Sequence, residues 1–239
     1  MKCVVLQPSY IPWRGYFHQI HKADVFIFYD DVQYEKHGWR NRNRIKTPGG
    51  VQWLSIPVLS KGAVTKKIPI NEIEIDEKQT SWREKHRKTL RQSYRKAPFY
   101  ARYEKLLSEF YARDDRLLAD FTIDLTVALA KELGVEKTIF RRSSEFTVRG
   151  KKTERLLSLL HSVGATHYIT GASAKDYLEE EKFAEAGITL EYMTYDYPEY
   201  AQLYPPFDAQ ISILDLLFMQ GSEAGNFIWN FDNKINRQS

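Results

Sequence analysis

Two predicted strands lie within the first thirty residues, at positions 2–6 and 24–29, and each contains a continuous apolar run, Val4-Val5-Leu6 in the first and Val25-Phe26-Ile27-Phe28 in the second. Apolar runs of this length, without polar alternation, are typical of strands that are covered on both faces, as in parallel sheets. The segment between them, residues 15–21, carries apolar side chains at helical spacing. A strand, a helix and a second strand in so short a stretch form a βαβ unit, which predicts an α/β fold.

The same alternation returns in the second half of the chain. The predicted strands are 138–140, 167–170 and 188–193, and the predicted helices are 153–163, 175–186 and 211–219. Gly164 and Gly187 follow two of these helices, where glycine commonly ends a helix. We therefore expect a mostly parallel sheet flanked by helices.

Two segments interrupt this pattern. Extended stretches on either side of Thr47-Pro48-Gly49-Gly50 predict a β-hairpin over about 39–58, because proline and glycine favour a tight turn. Residues 80–134 have the periodicity of three helices, and Ser81 and Glu84 have the spacing of a capping box. We interpret 80–134 as a helical insertion. Since no linker sets it apart, we predict a single α/β domain over 1–239.

Composition excludes several classes of protein. The 239 residues have a net charge of +4 and a single cysteine, so an internal disulfide framework is excluded. No segment approaches the ~18 apolar residues of a membrane span, and the apolar start is too short for a signal peptide. We expect a soluble cytoplasmic protein with no membrane span. The mild positive charge permits an anionic ligand without indicating nucleic acid, and the oligomeric state is open.

The sheet predicts where ligands bind, because open parallel sheets bind them beyond the carboxyl ends of the strands. Four loops should lie at that edge, at 7–13, 30–38, 170–173 and 195–207. From these loops and the residues beside them we predict substrate contacts by Gln7, Ser9, Tyr10, Trp13, Gly171, Ser173, Lys175 and Tyr204.

Two carboxylates end the second apolar strand. Asp30 and Asp31 can bind Mg²⁺ or a substrate hydroxyl, or act as a general base, whereas the alternative is a turn in which one Asp bonds the local backbone. Successive strand side chains face opposite ways, so we expect Asp31 to face the ligand, Gln33 to share its face, and Asp30 to fix the turn. His37 is a third candidate for proton transfer or ligand contact, and its alternative is an ordinary surface histidine. The metal is unknown.

The segment from 39 to 44 alternates between two kinds of side chain. As a strand it would place its arginines on one face and its other residues on the opposite face: Arg40, Arg42 and Arg44, then Trp39, Asn41 and Asn43. The arginine face would hold phosphates, or it is a solvated strand face. Asparagine is unfavourable in strands, so we expect Asn41 and Asn43 to bond specific partners.

Two further features suggest anion binding. Residues 170–173 open a predicted helix, whose N-terminus attracts anions, although Ser173 would also serve as a simple N-cap. Residues 83–96 carry seven Lys or Arg against one Glu. That stretch is a candidate nucleic-acid contact or, more commonly, a solvated helix face.

Several sequence blocks resemble the WbqC-like protein family. The blocks are Gln7-Pro8-Ser9-Tyr10-Ile11-Pro12, Asp30-Asp31-Val32-Gln33-Tyr34, Gly38-Trp39-Arg40-Asn41-Arg42-Asn43, Tyr168-Ile169-Thr170-Gly171, Ala174-Lys175-Asp176-Tyr177-Leu178 and Ser212-Ile213-Leu214-Asp215. Members of that family are typically encoded among surface-polysaccharide or O-antigen genes. The resemblance covers nearly the whole chain and implies a role in a sugar pathway.

A fainter resemblance concerns the first turn of the first helix. Trp13-Arg14-Gly15-Tyr16 lies where nucleotidyl-transferring and adenylate-forming α/β enzymes have the sequence H-x-G-H. Both histidine positions are replaced, by Trp13 and Tyr16, while Gly15 matches and His18 lies nearby. The replacements place the phosphate-stabilising role of those histidines in doubt.

Three functions are consistent with the sequence. The first is an enzyme that transfers an acyl or aminoacyl group to a nucleotide-linked amino sugar, or a nucleotidyl-type transferase. In it Asp30, Asp31 or His37 would take a proton, and the arginines or the Gly171 helix end would hold phosphate. The second is a noncatalytic sugar- or nucleotide-binding protein. The third is a nucleic-acid-binding protein that uses 83–96.

Overall fold

The chain alternates between strands and helices, as the sequence predicts. The structure, a computed structural model, describes residues 1–63, 65–79 and 81–229. The strands in those residues are Lys2–Leu6 (β1), Val25–Phe28 (β2), Arg42–Thr47 (β3), Gly50–Ser55 (β4), Ile139–Arg142 (β5), His167–Gly171 (β6) and Thr189–Met193 (β7). The α-helices are Arg14–Lys22 (α1), Trp82–Tyr94 (α2), Tyr100–Tyr111 (α3), Leu118–Glu132 (α4), Lys152–Ser162 (α5), Glu180–Glu185 (α6) and Ile213–Gln220 (α7).

Five of the strands form one parallel sheet in the order β5-β2-β1-β6-β7. β1 is central, and its successive side chains enter two different hydrophobic clusters. Val4 packs on one face of the sheet with Phe26, while Cys3 and Val5 pack on the other face. This burial on both faces explains why the strand is continuously apolar. The predicted α/β fold with a parallel sheet is confirmed.

The predicted hairpin is present but shorter than 39–58. β3 and β4 pair antiparallel, and Gly50 takes a φ of +107°, which a residue with a side chain rarely adopts. Trp39, Arg40 and Asn41 precede β3 and are not part of a strand. The prediction that Arg40 shares a strand face with the later arginines is therefore wrong.

The predicted helical insertion consists of α2, α3 and α4. Thr80, where we began it, lies outside the described residues, as do 230–239 of the predicted domain. The predicted capping box is wrong, because the Ser81 side chain makes no cap hydrogen bond and Glu84 pairs with Lys88 at 2.7 Å. Buried side chains of these helices share a hydrophobic cluster with β1 and β2. The division of the chain into domains stays a prediction.

The helix predicted at 175–186 is interrupted. Residues Ala172–Asp176 form a 3-10 helix, and α6 begins only at Glu180. Glu180 and Glu181 lie in the first turn of α6, where the helix dipole favours negative charge, so the restart is electrostatically favourable. Within the described residues, no helix is long and apolar enough to cross a membrane.

A buried histidine makes the stability of this fold sensitive to acid. His86 on α2 lies with Nδ1 2.8 Å from the hydroxyl of Tyr10, and burial lowers its pKa from 6.5 to about 4. The folded state therefore disfavours protonated His86. The resulting stabilisation is complete above pH 6.5 and is lost as the pH falls towards 4.

We predict that His86→Gln flattens this dependence. Between pH 7 and pH 4.5, wild type should lose about 2 kcal/mol more free energy of unfolding than the variant, since one pKa unit corresponds to about 1.4 kcal/mol. Urea unfolding of both proteins at the two pH values measures the difference. Equal losses in the two proteins would contradict the assignment.

Candidate functional site

A cavity of about 860 Å³ lies at the carboxyl edge of the sheet. The chain leaves β1 towards β2 on one side, and it leaves β6 towards β7 on the other. The two loops therefore diverge and leave a crevice between β1 and β6, which is where open parallel sheets bind ligands. Further lining residues come from α1, α5 and the segment before β3.

About half of the predicted contact residues line this cavity. They are Gln7, Ser9, Trp13, Trp39, Arg40, Asn43, Gly171 and Ser173. The structure thus brings the loops after β1 and β6 together with the segment before the hairpin. The functional roles of these residues stay predictions.

The loop after β1 is held in an unusual conformation. Ile11 has a φ of +37°, which is strained for a β-branched residue. Asn43 holds this loop, because its Nδ2 donates to the carbonyls of Ile11 at 2.9 Å and Tyr10 at 3.2 Å. The Tyr10 N–H in turn donates to the Trp39 carbonyl at 3.2 Å. These bonds fix the β1 loop against the residues that precede β3.

Tyr10 itself does not face the cavity. Its side chain is fully buried, and its hydroxyl lies within hydrogen-bonding distance of Tyr111 and His86. The predicted substrate contact by Tyr10 is replaced by a structural one, which ties the β1 loop to α2 and α3. That prediction rested on the position of the loop after β1 at the sheet edge, whereas the partners of the side chain lie 76 and 101 residues away.

The two aspartates also lie outside the lining. Asp30 is fully buried and accepts hydrogen bonds from Ser144, at 3.0 Å from its N–H and 2.9 Å from its hydroxyl. Asp31 forms an ion pair of 2.5 Å with Arg155 and accepts from Ser143 at 2.5 Å. Asp31 was expected to face the ligand, but the structure leaves it out of the cavity lining and pairs it with Ser143, which follows β5, and with Arg155 on α5, so its functional role stays a prediction.

The partners of Asp30 and Asp31 also bear on whether these aspartates fit a bound metal ion. A cation at Asp31 would lie beside the Arg155 guanidinium, and the oxygens of Asp30 already accept from serine. The donor set therefore does not fit Mg²⁺. In the part of the chain that the structure describes, no group of three or more His, Cys, Asp or Glu is placed to hold a metal ion.

Three predicted residues around the hairpin have partners in the protein. The Arg42 guanidinium stacks on Trp53, 4.5 Å from the ring centroid, and donates to the His37 carbonyl. His37 is exposed and does not line the cavity. Asn41 donates from Nδ2 to the Ile56 carbonyl at 2.8 Å. The asparagines thus have the specific partners we expected, and those partners are backbone groups and, for Asn41 Oδ1, the Tyr34 hydroxyl at 3.1 Å.

The remaining predicted contacts lie apart from the lining. The Lys175 ammonium is 4.9 Å from the centroid of the Tyr192 ring, and the Tyr204 hydroxyl donates to the Ser93 carbonyl at 2.6 Å. Gln33 forms a bridge with Pro69. After Gly171 the structure has five residues of 3-10 helix in place of the predicted α-helix, and the anion site expected there stays a prediction.

The side chains around the first turn of α1 have partners within the protein. The Trp13 indole lies against Gly15, where a Cβ would approach the ring to 2.3 Å. Arg14 is buried and donates to the Pro198 carbonyl at 2.8 Å, away from the lining. His18 lies 2.9 Å from the Tyr197 hydroxyl, and burial lowers its pKa to about 4. These side chains secure the C-terminal loop against α1.

The lining contains side chains that the sequence interpretation did not select. They are Tyr16, Gln19, Tyr29, Lys152, Thr153, Tyr177, Tyr195 and Gln210, with several apolar neighbours. Trp13, Tyr16 and Gln19 are three residues apart, so one side of α1 faces the cavity, and this spacing was a usable signal. Lys152 and Gln210 come from distant segments, and no local pattern marks them.

Comparison with known proteins identifies the family. The sequence profile of the WbqC-like protein family matches residues 7–227. The chain belongs to the WbqC-like protein family. It is also 40% identical over 229 residues to the uncharacterized protein Rv1507c of Mycobacterium tuberculosis, an alignment that covers 95% of this chain and 97% of that protein. Among solved structures, none matches the chain.

The charge of the cavity is distinctive in this WbqC-like protein. Arg40 and Lys152 are its charged lining side chains, and neither a carboxylate nor a histidine is among the described residues that line it. The other polar groups are neutral amides and hydroxyls. A lining with two positive side chains among neutral polar groups therefore suits a ligand that carries one anionic group and is otherwise neutral.

We predict that Asp31 and Arg155 are energetically coupled. Asp31→Asn and Arg155→Gln should each lower the free energy of unfolding, and a double-mutant cycle should give a coupling of about 1 kcal/mol, because each variant leaves a part-buried partner unpaired. Urea unfolding of the four proteins measures the coupling. The control is Lys105 with Glu109, an exposed pair at 3.9 Å whose coupling should be close to zero. Additive effects at Asp31 and Arg155 would refute the coupling.

Proposed function

We propose that this WbqC-like protein binds a nucleotide sugar in the cavity between β1 and β6 and acts as a transferase of surface-polysaccharide biosynthesis. The family resemblance supports the pathway. The observation that carries the proposal is the lining, which combines neutral hydrogen-bonding groups with aromatic rings. That combination suits a sugar, whose hydroxyls both donate and accept while its ring faces are apolar.

Amide side chains supply much of the neutral polarity. They are Gln7, Gln19 and Gln210, whereas the Asn43 amide in the same lining is already bonded to backbone groups. Each side-chain amide has an NH₂ that donates and an oxygen that accepts. It can therefore pair with a sugar hydroxyl, which also donates and accepts. Trp13 and Tyr195 lie edge to face with their centroids 5.0 Å apart, and Trp39 adds a further ring to the lining. Such rings provide apolar surfaces beside the polar groups.

Gln19 is the most informative of these amides. It is 5% exposed, and its Nε2 donates to the Tyr195 hydroxyl at 3.0 Å. Its Oε1 is buried and has no hydrogen-bond partner among the described residues. A buried acceptor without a donor is unfavourable by about 1–3 kcal/mol. A ligand hydroxyl would supply the missing donor.

In the proposed reaction, the amine of a nucleotide-linked amino sugar attacks the carbonyl carbon of an acyl or aminoacyl donor. A carbon–nitrogen bond forms, and the bond from that carbon to the donor's leaving group breaks. The predicted proton acceptors Asp30, Asp31 and His37 lie outside the lining. We therefore assign the amine proton to the departing leaving group or to water.

We predict that a nucleotide sugar raises the thermal midpoint of the protein and that Gln19→Met weakens its binding about tenfold, the equivalent of one hydrogen bond. Thermal shift identifies the ligand, and isothermal titration measures the affinity. Gln52→Met, at an exposed position on β4, is the matched control and should bind like wild type. Wild-type affinity in Gln19→Met would remove Gln19 from the site.

Mass spectrometry then tests the transfer itself. Incubation with a nucleotide-linked amino sugar and an acyl donor should give a product heavier by one acyl group minus one hydrogen. If the nucleotide sugar binds and none of the acyl donors gives this product, the result would favour a noncatalytic binding protein.

A further inference from the structure

Arg40 differs from the other arginines near the sheet edge. Arg14, Arg42 and Arg44 each donate to a backbone carbonyl, and Arg155 pairs with Asp31. The Arg40 guanidinium makes no hydrogen bond or ion pair with any of the described residues. Its Nε is buried without a partner, as are those of Arg14, Arg42 and Arg44, so the difference lies in the terminal nitrogens, which in Arg40 donate to none of the described residues.

The position of Arg40 is nevertheless fixed. The preceding residue, Trp39, accepts a hydrogen bond from the Tyr10 N–H, which attaches this segment to the loop after β1. Arg40 and Tyr16 both line the cavity, and the Tyr16 hydroxyl donates to the Gln7 carbonyl at 3.0 Å. The backbone at Arg40 is therefore fixed beside the point where the strand order reverses, and its side chain lines the cavity there.

The surroundings leave the charge of Arg40 uncompensated. Burial lowers its pKa, and Glu35 acts in the opposite sense at a distance but forms no ion pair with it. A guanidinium stays protonated in proteins, so an unpaired one that is partly removed from water destabilises the protein. Because the cavity lining holds no carboxylate among the described residues, a ligand anion would supply the close counter-charge that Arg40 lacks.

We infer that Arg40 binds an anionic oxygen group of the ligand, a phosphate or a carboxylate, at the β1 end of the cavity. The inference rests on the proposed function for the identity of the rest of the ligand. A planar guanidinium binds such groups through two parallel hydrogen bonds. Lys152, an exposed residue at the start of α5, adds a second positive charge to the same lining.

The test compares two anionic probes. Pyrophosphate represents a phosphate group and glucuronate a carboxylate, and isothermal titration measures the affinity of each. Arg40→Gln should lower the affinity for the tighter-binding probe at least tenfold. Arg40→Lys should lower that affinity less, because lysine keeps the positive charge and loses only the two-point geometry. Arg116→Gln, at an exposed position, should bind like wild type.

Stability separates a ligand contact from a structural role. Without ligand, Arg40→Gln should keep or raise the thermal midpoint, because it removes an unpaired charge. A lower thermal midpoint in Arg40→Gln would overturn the inference. If Arg40→Gln does not fold, full probe affinity in Arg40→Lys would overturn it. The inference is also overturned if each probe binds Arg40→Gln as tightly as it binds wild type. It is likewise overturned if Arg42→Gln loses probe affinity and Arg40→Gln does not.

The same titrations distinguish this inference from the proposed function. If a nucleotide sugar binds wild type and Arg40→Gln equally tightly, the inference fails and the proposed function stands. If pyrophosphate or glucuronate binding depends on Arg40 while no nucleotide sugar binds, the inference stands and the sugar assignment fails.

Discussion

The parallel pairing of β1 with β2 on one side and β6 on the other is the contact on which the site depends. Because these strands run the same way, their following loops leave at one edge of the sheet, and they diverge where the order reverses. The pairing depends in turn on burial of β1 on both faces, with Val4 in one hydrophobic cluster and Cys3 in the other. A polar residue at either position would weaken both the sheet and the crevice above it.

The hairpin completes the crevice through a few specific bonds. Asn43 at the start of β3 holds the strained loop at Ile11, and Trp39 accepts from Tyr10. Strain of order 1–3 kcal/mol at one residue persists only where surrounding contacts determine the conformation. Here those contacts also set the position of Arg40. The geometry of the first loop and the placement of the cation are thus parts of one arrangement.

The sequence was informative where structure is local. Apolar runs predicted β1 and β2, the returning alternation of strands and helices predicted β5, β6 and β7, and the turn after β3 was evident from its proline and glycines. Orientation at the sheet edge was not predictable in this way. Asp31 turns towards Ser143 and Arg155, which lie 112 and 124 residues along the chain, and no local pattern encodes them. Alternation suggested that Arg40 belongs to a strand, although β3 begins two residues later.

Two buried carboxylates of the framework accept hydrogen bonds from neighbouring hydroxyls, whereas two polar atoms at the cavity have no partner in the described part of the chain. Burial raises the pKa of Asp215, yet its two oxygens accept from Tyr94 at 2.8 Å and Tyr200 at 2.9 Å. Asp30 is likewise satisfied by serines. At the cavity, Arg40 Nε and Gln19 Oε1 have no such partners in the described residues. A donor and an acceptor that are held ready before a ligand arrives lose little conformational entropy when it binds. Until a ligand binds, leaving these two atoms without hydrogen bonds lowers the free energy of unfolding. The rest of the framework has to offset that loss.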